Sequence, residues 1–202
     1  MSVSMFLTIF ISSVFINNVI LSRFLGLCSF IAISKQTKPA FAMSMAVLFV
    51  ITMSSLITWL VYTFLLAPLG MAYLRTISFI LIIAAFVQLV EIVLRKTTPH
   101  LYKLFGIYLP LITCNCAVLG VAVLNSEMFF KNNHPLAGSL AYSLFQGICA
   151  GIGYTLAMLL MSAIRERLDL STVPKALKDF PLGFIIAAIM SMAFMGFNGF
   201  RF

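Results

Sequence analysis

Four cysteines carry most of the chemistry this sequence can offer. Cys28 sits in LGLCSF (25–30), Cys114 and Cys116 in LITCNCAVLG (111–120), and Cys149 in GICAGIG (147–153). A deprotonated cysteine ligates soft metal centres, whereas a neutral one is a small apolar side chain that suits close helix packing. Two of the four stand beside residues that weaken a helix. Asn17, Asn18, Ser22, Arg23 and Gly26 precede Cys28; Pro110, Thr113 and Asn115 precede Cys116, and Gly120 follows. Proline removes a backbone donor, and glycine costs a helix ~1 kcal/mol against alanine. Cys149, among Gly147, Gly151 and Gly153, reads as a packing residue at a tight helix contact.

The elements that hold these residues follow from composition. Of 202 residues 62% are hydrophobic and 9% charged, and the mean hydropathy is +1.13. No soluble domain of this size has an interior large enough for so many apolar side chains. The chain is therefore expected to be an all-α integral membrane protein. The net charge of +8 fits basic residues at the ends of membrane spans, not a nucleic-acid partner. With only Glu91, Glu127, Glu166, Asp169 and Asp179 as acids, and His100 and His134 in polar loops, a carboxylate-pair hydrolase or a nucleophile–His–acid triad has no material. The amino terminus, MSVSMFLTIF, lacks a basic n-region and reads as the start of the first span.

Hydrophobic runs bounded by charge, Pro or Gly predict six spans, near 4–33, 40–66, 72–94, 103–125, 137–163 and 181–200. The first is too long for a simple crossing, since 30 residues of helix would rise ~45 Å; it must tilt, protrude or be interrupted. Loops 1–2, 3–4 and 5–6 hold Lys35, Lys38, Arg95, Lys96, Lys103, Arg165, Arg167, Lys175 and Lys178, against Arg75, Lys131 and Arg201 on the other side. The positive-inside rule then puts both termini outside the cytoplasmic membrane. Three spans per half imply that the second half inserts upside down, so the single membrane domain divides into repeats at 1–98 and 99–202. SFILIIAAF (78–86) echoes GFIIAAI (183–189), though no single offset aligns this pair together with LSRFLGLC and CNCAVLG.

Within lipid, backbone groups freed at a break must be covered by protein or a cavity, so spans one and four are expected to be interrupted at a buried contact. Counting helical rise from Lys35 and Lys103 puts Cys28 ~10 Å and Cys116 ~20 Å from the cytoplasmic surface. A structural disulfide does not suit that depth. Neither histidine stands at a zinc-ligand spacing from a cysteine. On the residues alone, packing is the simpler reading of the thiols, and metal ligation stays open beside it. Arg23, costly in a span, reads as a partner to another protein chain or to lipid headgroups, or as a tuning charge five residues before Cys28. Glu91 and Arg95 are spaced to pair on one helix face.

The segments NNVILSRFLGLCSF, YLRTISFILIIAAFVQLVEIVLRKTTPHLYKLFGIYLPLITCNCAVLGVAVLN, SAIRERL and SMAFMGFNG resemble the RnfA/NqrE family. That family holds the A subunit of the Rnf complex and the E subunit of the sodium-pumping NADH:quinone reductase. The likeness is greater to the Rnf side, covers nearly all of the chain and includes the loops. The resemblance implies a six-helix, inverted-repeat component of a complex that moves electrons between ferredoxin and NAD and couples them to Na⁺ or H⁺ transport. It further implies pairing with the homologous, oppositely oriented RnfE, in a complex with the B, C, D and G subunits. In the family each of that pair gives two intramembrane cysteines to one [2Fe–2S] cluster, and the matching positions here are Cys28 and Cys116. Cys114 stands where the family carries Thr, which makes it the weaker ligand candidate. Gly26 would then admit the backbone close to inorganic sulfur, and Asn115 would face the cluster or cap the break. Without the resemblance, a self-contained inverted-repeat transporter and a structural scaffold without a redox centre remain as alternatives.

Overall fold

The computed structural model describes residues 3–66, 74–97, 111–112, 115–130, 136–170 and 180–196. Cys114, Pro110, Thr113, both histidines, Lys103, Lys131, Lys175, Lys178, Asp179 and Arg201 lie outside these, as does the side chain of Arg95 and with it the pair expected with Glu91. The described residues are helical in every regular element, with no strand among them. Seven α-helices run in chain order: α1 (Val3–Ile11), α2 (Leu27–Ile33), α3 (Thr37–Val61), α4 (Arg75–Thr97), α5 (Cys116–Asn125), α6 (Leu136–Asp169) and α7 (Phe180–Met195). Wider π-type turns extend α1 over Ser12–Ile16, α3 over Tyr62–Leu66 and α5 over Ser126–Phe130. Three stretches, Thr37–Leu66, Arg75–Ile92 and Gly138–Asp169, are long and apolar enough to cross a bilayer; Phe6–Ile16, Cys116–Met128 and Pro181–Met195 are shorter apolar helices. Each of these six stretches overlaps one of the expected spans, three of them at a length that crosses a bilayer.

The first span is interrupted, one of the three outcomes its length allowed. The chain leaves helical geometry at Asn17 and resumes it at Leu27, turning through left-handed conformations at Phe24 (φ 55°) and Gly26 (φ 85°). Such a turn is stable away from water only if its backbone groups find partners. Asn18, fully buried, supplies several of them. Its Nδ2 donates to the carbonyls of Val14 (3.1 Å) and Gly153 (2.9 Å), and its Oδ1 accepts from the Ile20 amide (3.2 Å). Ser191 of α7 donates to the Leu21 carbonyl at 2.8 Å. Arg165 of α6 closes the far end of α2, its Nη1 donating to the Ile31 carbonyl (2.7 Å) and to Ser34 Oγ (2.8 Å).

The longest helices, α3 and α6, pack antiparallel. Contacts pair Trp59 with Ser139, Ser55 with Gly147, Leu48 with Gly151 and Thr37 with Glu166, so one index rises as the other falls. Small residues let the backbones approach: a Cβ on Gly147 would meet Ser55 Oγ at 2.6 Å, and one on Gly151 would meet Leu48 Cγ at 2.9 Å. The hydroxyls of Ser55 and Thr58 are absorbed by carbonyls one turn back, Ile51 at 2.9 Å and Ser54 at 2.7 Å. Around this pair Ile20, Leu21, Phe30, Met43, Ile51, Phe79, Met158 and Met161 are fully buried. Large apolar side chains also face outward, Leu81 at 70% and Ile92 at 68% exposure. That distribution suits a hydrocarbon surrounding, where such side chains cost nothing.

One end of the bundle gathers Lys35, Lys38, Glu166 and Asp169 around a polar groove. Away from it, Arg75 at the start of α4 meets Glu127, just past α5, at 3.3 Å. The charged groups therefore separate as two faces of a membrane would require.

Candidate functional site

The two helix breaks meet. Gly26 presses against the start of α5 so closely that a Cβ there would lie 2.8 Å from Asn115 Oδ1 and 3.3 Å from Ala117 Cβ. The approach needs a residue with no side chain and a left-handed backbone, and glycine alone meets both conditions without strain. Asn115 is the N-cap of α5: its Oδ1 accepts from the Ala117 amide at 3.0 Å. Asparagine favours this position because its short side chain can return to the first free amides. The interruptions expected at a buried contact thus rest on each other.

Two thiols flank this contact. Cys28 is the second residue of α2 and Cys116 the first of α5. Both are exposed on the surface of the chain, while their neighbours Ser29, Phe30, Ala117 and Val118 are buried. A thiol that serves helix–helix contact within the chain would be buried instead. Cys149 behaves in that other way, only 1% exposed within α6. Among the described residues no three His, Cys, Asp or Glu side chains gather to hold a metal.

Three features of the contact suit a thiolate-bound iron–sulfur group. Two cysteines are half of the four thiolates a [2Fe–2S] centre takes. Gly26 lets the start of α5 close onto its backbone, so the two cysteine-bearing segments lie side by side. Asn115, 3% exposed, has an Nδ2 donor without a hydrogen bond, and a buried orphan donor beside a ligand position is ready to meet an anionic sulfur.

Residues not singled out by sequence complete the surroundings. Tyr154 of α6, 1% exposed, has its hydroxyl 2.9 Å from Ser29 Oγ. A tyrosine in an apolar helix must find a polar partner for its hydroxyl, and GIGYTL (151–156) was the signal that could have found it. Arg165, counted in the sequence as a loop charge, is 5% exposed and serves α2 instead. Arg23 lines a cavity of about 200 Å³ with Thr8, Ser12, Asn17 and Gln146; neither Cys28 nor Cys116 is among the lining residues.

Residues 6–201 match the family described as "Rnf-Nqr subunit, membrane protein". Over 193 residues, 96% of both chains, the chain is 49% identical to the A subunit of the "Na(+)-translocating ferredoxin:NAD(+) oxidoreductase complex" of Acetobacterium woodii. It is 51% identical over 193 residues to the A subunit of the "Ion-translocating oxidoreductase complex" of Methanosarcina acetivorans, covering 95% of this chain and 93% of that one. To the protein of the same description from Proteus mirabilis it is 48% identical over 194 residues, 96% of each.

Proposed function

The chain belongs to the Rnf-Nqr family of membrane proteins, and from that premise we propose that it is the A subunit of an ion-translocating ferredoxin:NAD oxidoreductase complex and carries half of an intramembrane [2Fe–2S] site. The observation that carries the reading is the contact of the two breaks, Gly26 against Asn115, with an exposed cysteine closely following each, Cys28 and Cys116. A thiol pair facing outward needs a second protein to complete four-thiolate ligation, and the homologous RnfE, inverted in the membrane, is the partner of matching symmetry. The B, C, D and G subunits make up the rest of the complex.

When bound, the cluster relays single electrons across the membrane interior, in a complex that couples electron flow to Na⁺ or H⁺ translocation. The residues of this chain have the tasks of holding and shielding. Cys28 and Cys116 ligate as thiolates. Gly26 keeps side-chain bulk away from the ligand pair, and Asn115 caps α5 while its Nδ2 offers a hydrogen bond toward sulfur. The buried neighbours Phe30, Ala117 and Val118 exclude water from the protein side.

The fold proposed for this role has six transmembrane helices as two inverted three-helix repeats, 1–98 and 99–202. The antiparallel α3 and α6 as equivalent second helices, and the breaks at Gly26 and Asn115 as equivalent interruptions of helices 1 and 4, support it. The protein would sit in the bacterial cytoplasmic membrane with both termini outside. The groove of Lys35, Lys38, Glu166 and Asp169 would then face the cytoplasm.

Iron content and EPR of the purified complex test the site, comparing wild type with Cys28→Ser and Cys116→Ser. Each substitution is expected to abolish one [2Fe–2S] signal while the complex still assembles. Unchanged iron and an unchanged spectrum in both variants would leave the cysteines as packing residues of a scaffold.

A further inference from the structure

We infer that Tyr154 is the positioning residue that holds the two cysteine-bearing breaks in one fixed arrangement; the inference rests on the ligand reading proposed above. Tyr154 comes from a third element, α6, and is 1% exposed. The direction of its hydrogen bond can be worked out. Ser29 Oγ lies 2.9 Å from the Gly26 carbonyl and donates to it. A serine hydroxyl has one proton, so at Ser29 it is the Tyr154 hydroxyl that donates, over 2.9 Å. A chain of two hydrogen bonds thus runs from α6 through Ser29 to the carbonyl of Gly26, the residue whose left-handed turn precedes Leu27 and Cys28.

The other break is reached through Gly26, whose missing Cβ would lie 2.8 Å from Asn115 Oδ1. Asn115 immediately precedes Cys116, as Ser29 immediately follows Cys28. Fixing the Gly26 turn from α6 therefore also fixes the surface on which the Cys116 segment rests. Phenylalanine would fill the same volume and leave that turn without this reference point.

The test uses the purified complex carrying Tyr154→Phe and, separately, Ser29→Ala, which removes the same bond from the other side without touching α6. Iron and acid-labile sulfide content report whether the cluster is present. The EPR g-values and the midpoint potential report its setting. Both variants are expected to keep iron bound and to show broadened EPR features. The one-electron equilibrium should shift at least threefold, about 28 mV at 59 mV per tenfold. Iron at the wild-type level with wild-type g-values and potential in both variants would overturn the inference and leave the ligand reading standing. If Tyr154→Phe loses the cluster or fails to assemble, Ser29→Ala decides by the same two readouts. Iron in the wild-type complex that does not depend on Cys28 or Cys116 would overturn the ligand reading itself, and this inference with it.

Discussion

Adding a single methyl group at Gly26 should be felt at the start of a helix almost 90 positions further along the chain. Gly26 has φ +85°, and its absent Cβ would lie 2.8 Å from Asn115 Oδ1. An L side chain in a left-handed conformation costs ~1–2 kcal/mol. Moving Asn115 Oδ1 aside breaks the cap on the Ala117 amide, and loss of such a cap costs ~0.5–2 kcal/mol. Gly26→Ala should therefore destabilise the protein by about 2–3 kcal/mol, a fall in melting temperature of about 5–10 °C for a chain of this size. The two contributions separate in a double-mutant cycle. Asn115→Ala alone removes the cap; in that background Gly26→Ala retains only the backbone cost, so the pair should couple by about 1 kcal/mol. Gly196→Ala, where a Cβ would meet nothing within 4 Å, is the control and should be neutral. Thermal unfolding of the detergent-solubilised complex, followed by loss of its assembled form, measures all four. Simple additivity of Gly26→Ala and Asn115→Ala, or a Gly26→Ala complex as stable as the control, would refute the meeting of the two breaks.

Other perturbations follow from the same contacts. Asn18→Ala removes bonds to Val14, Gly153 and Ile20 and should cost about 2–3 kcal/mol, since buried partners are left unsatisfied at ~1–3 kcal/mol each before relaxation; unfolding midpoints check it. Arg165→Met leaves the Ile31 carbonyl without its charged donor and should destabilise by about 2–3 kcal/mol, a charged hydrogen bond being worth ~1.5–3, with Arg165→Lys recovering part of it. Gly151→Val forces a branched side chain against Leu48 and should cost at least ~1–3 kcal/mol by overpacking, read as reduced yield of assembled complex. Arg75 and Glu127 form a partly exposed ion pair, and a double-mutant cycle should find less than about 1 kcal/mol, declining with salt.

Some of this was legible from residue types. The length of the first apolar run left tilt, protrusion or interruption open, and the chain takes the last, between Asn17 and Gly26. Gly147, Gly151 and Gly153 announced close helix contacts: the first two became the α3–α6 pair, and Gly153 meets Ser13, Val14 and Asn18. That the breaks lie at a buried contact was legible, but not which residues make it, because spacing along one segment does not say which positions of another face it. Arg165 was misjudged for a related reason. A basic residue near the end of a span ordinarily remains in the headgroup region, and only the packing of α2 under α6 shows its guanidinium turned inward to a carbonyl. Ser29 and Tyr154 carried no signal as a pair, because 125 positions separate them.

The hydrogen bonds that close the first break set an order on how this protein is made. Asn18 waits for Gly153, the Ile31 carbonyl for Arg165 and the Leu21 carbonyl for Ser191, partners 135, 134 and 170 positions downstream. At ~5–20 residues per second the ribosome needs roughly 7–30 s to deliver them. Throughout that interval the first segment leaves the ribosome with polar backbone groups that lipid cannot satisfy. It must be sheltered, by the insertion machinery or by water at the membrane face, until the last third of the chain arrives. The part synthesised first is the part completed last, and a chain truncated after α5 would keep the Cys28 segment without its fold.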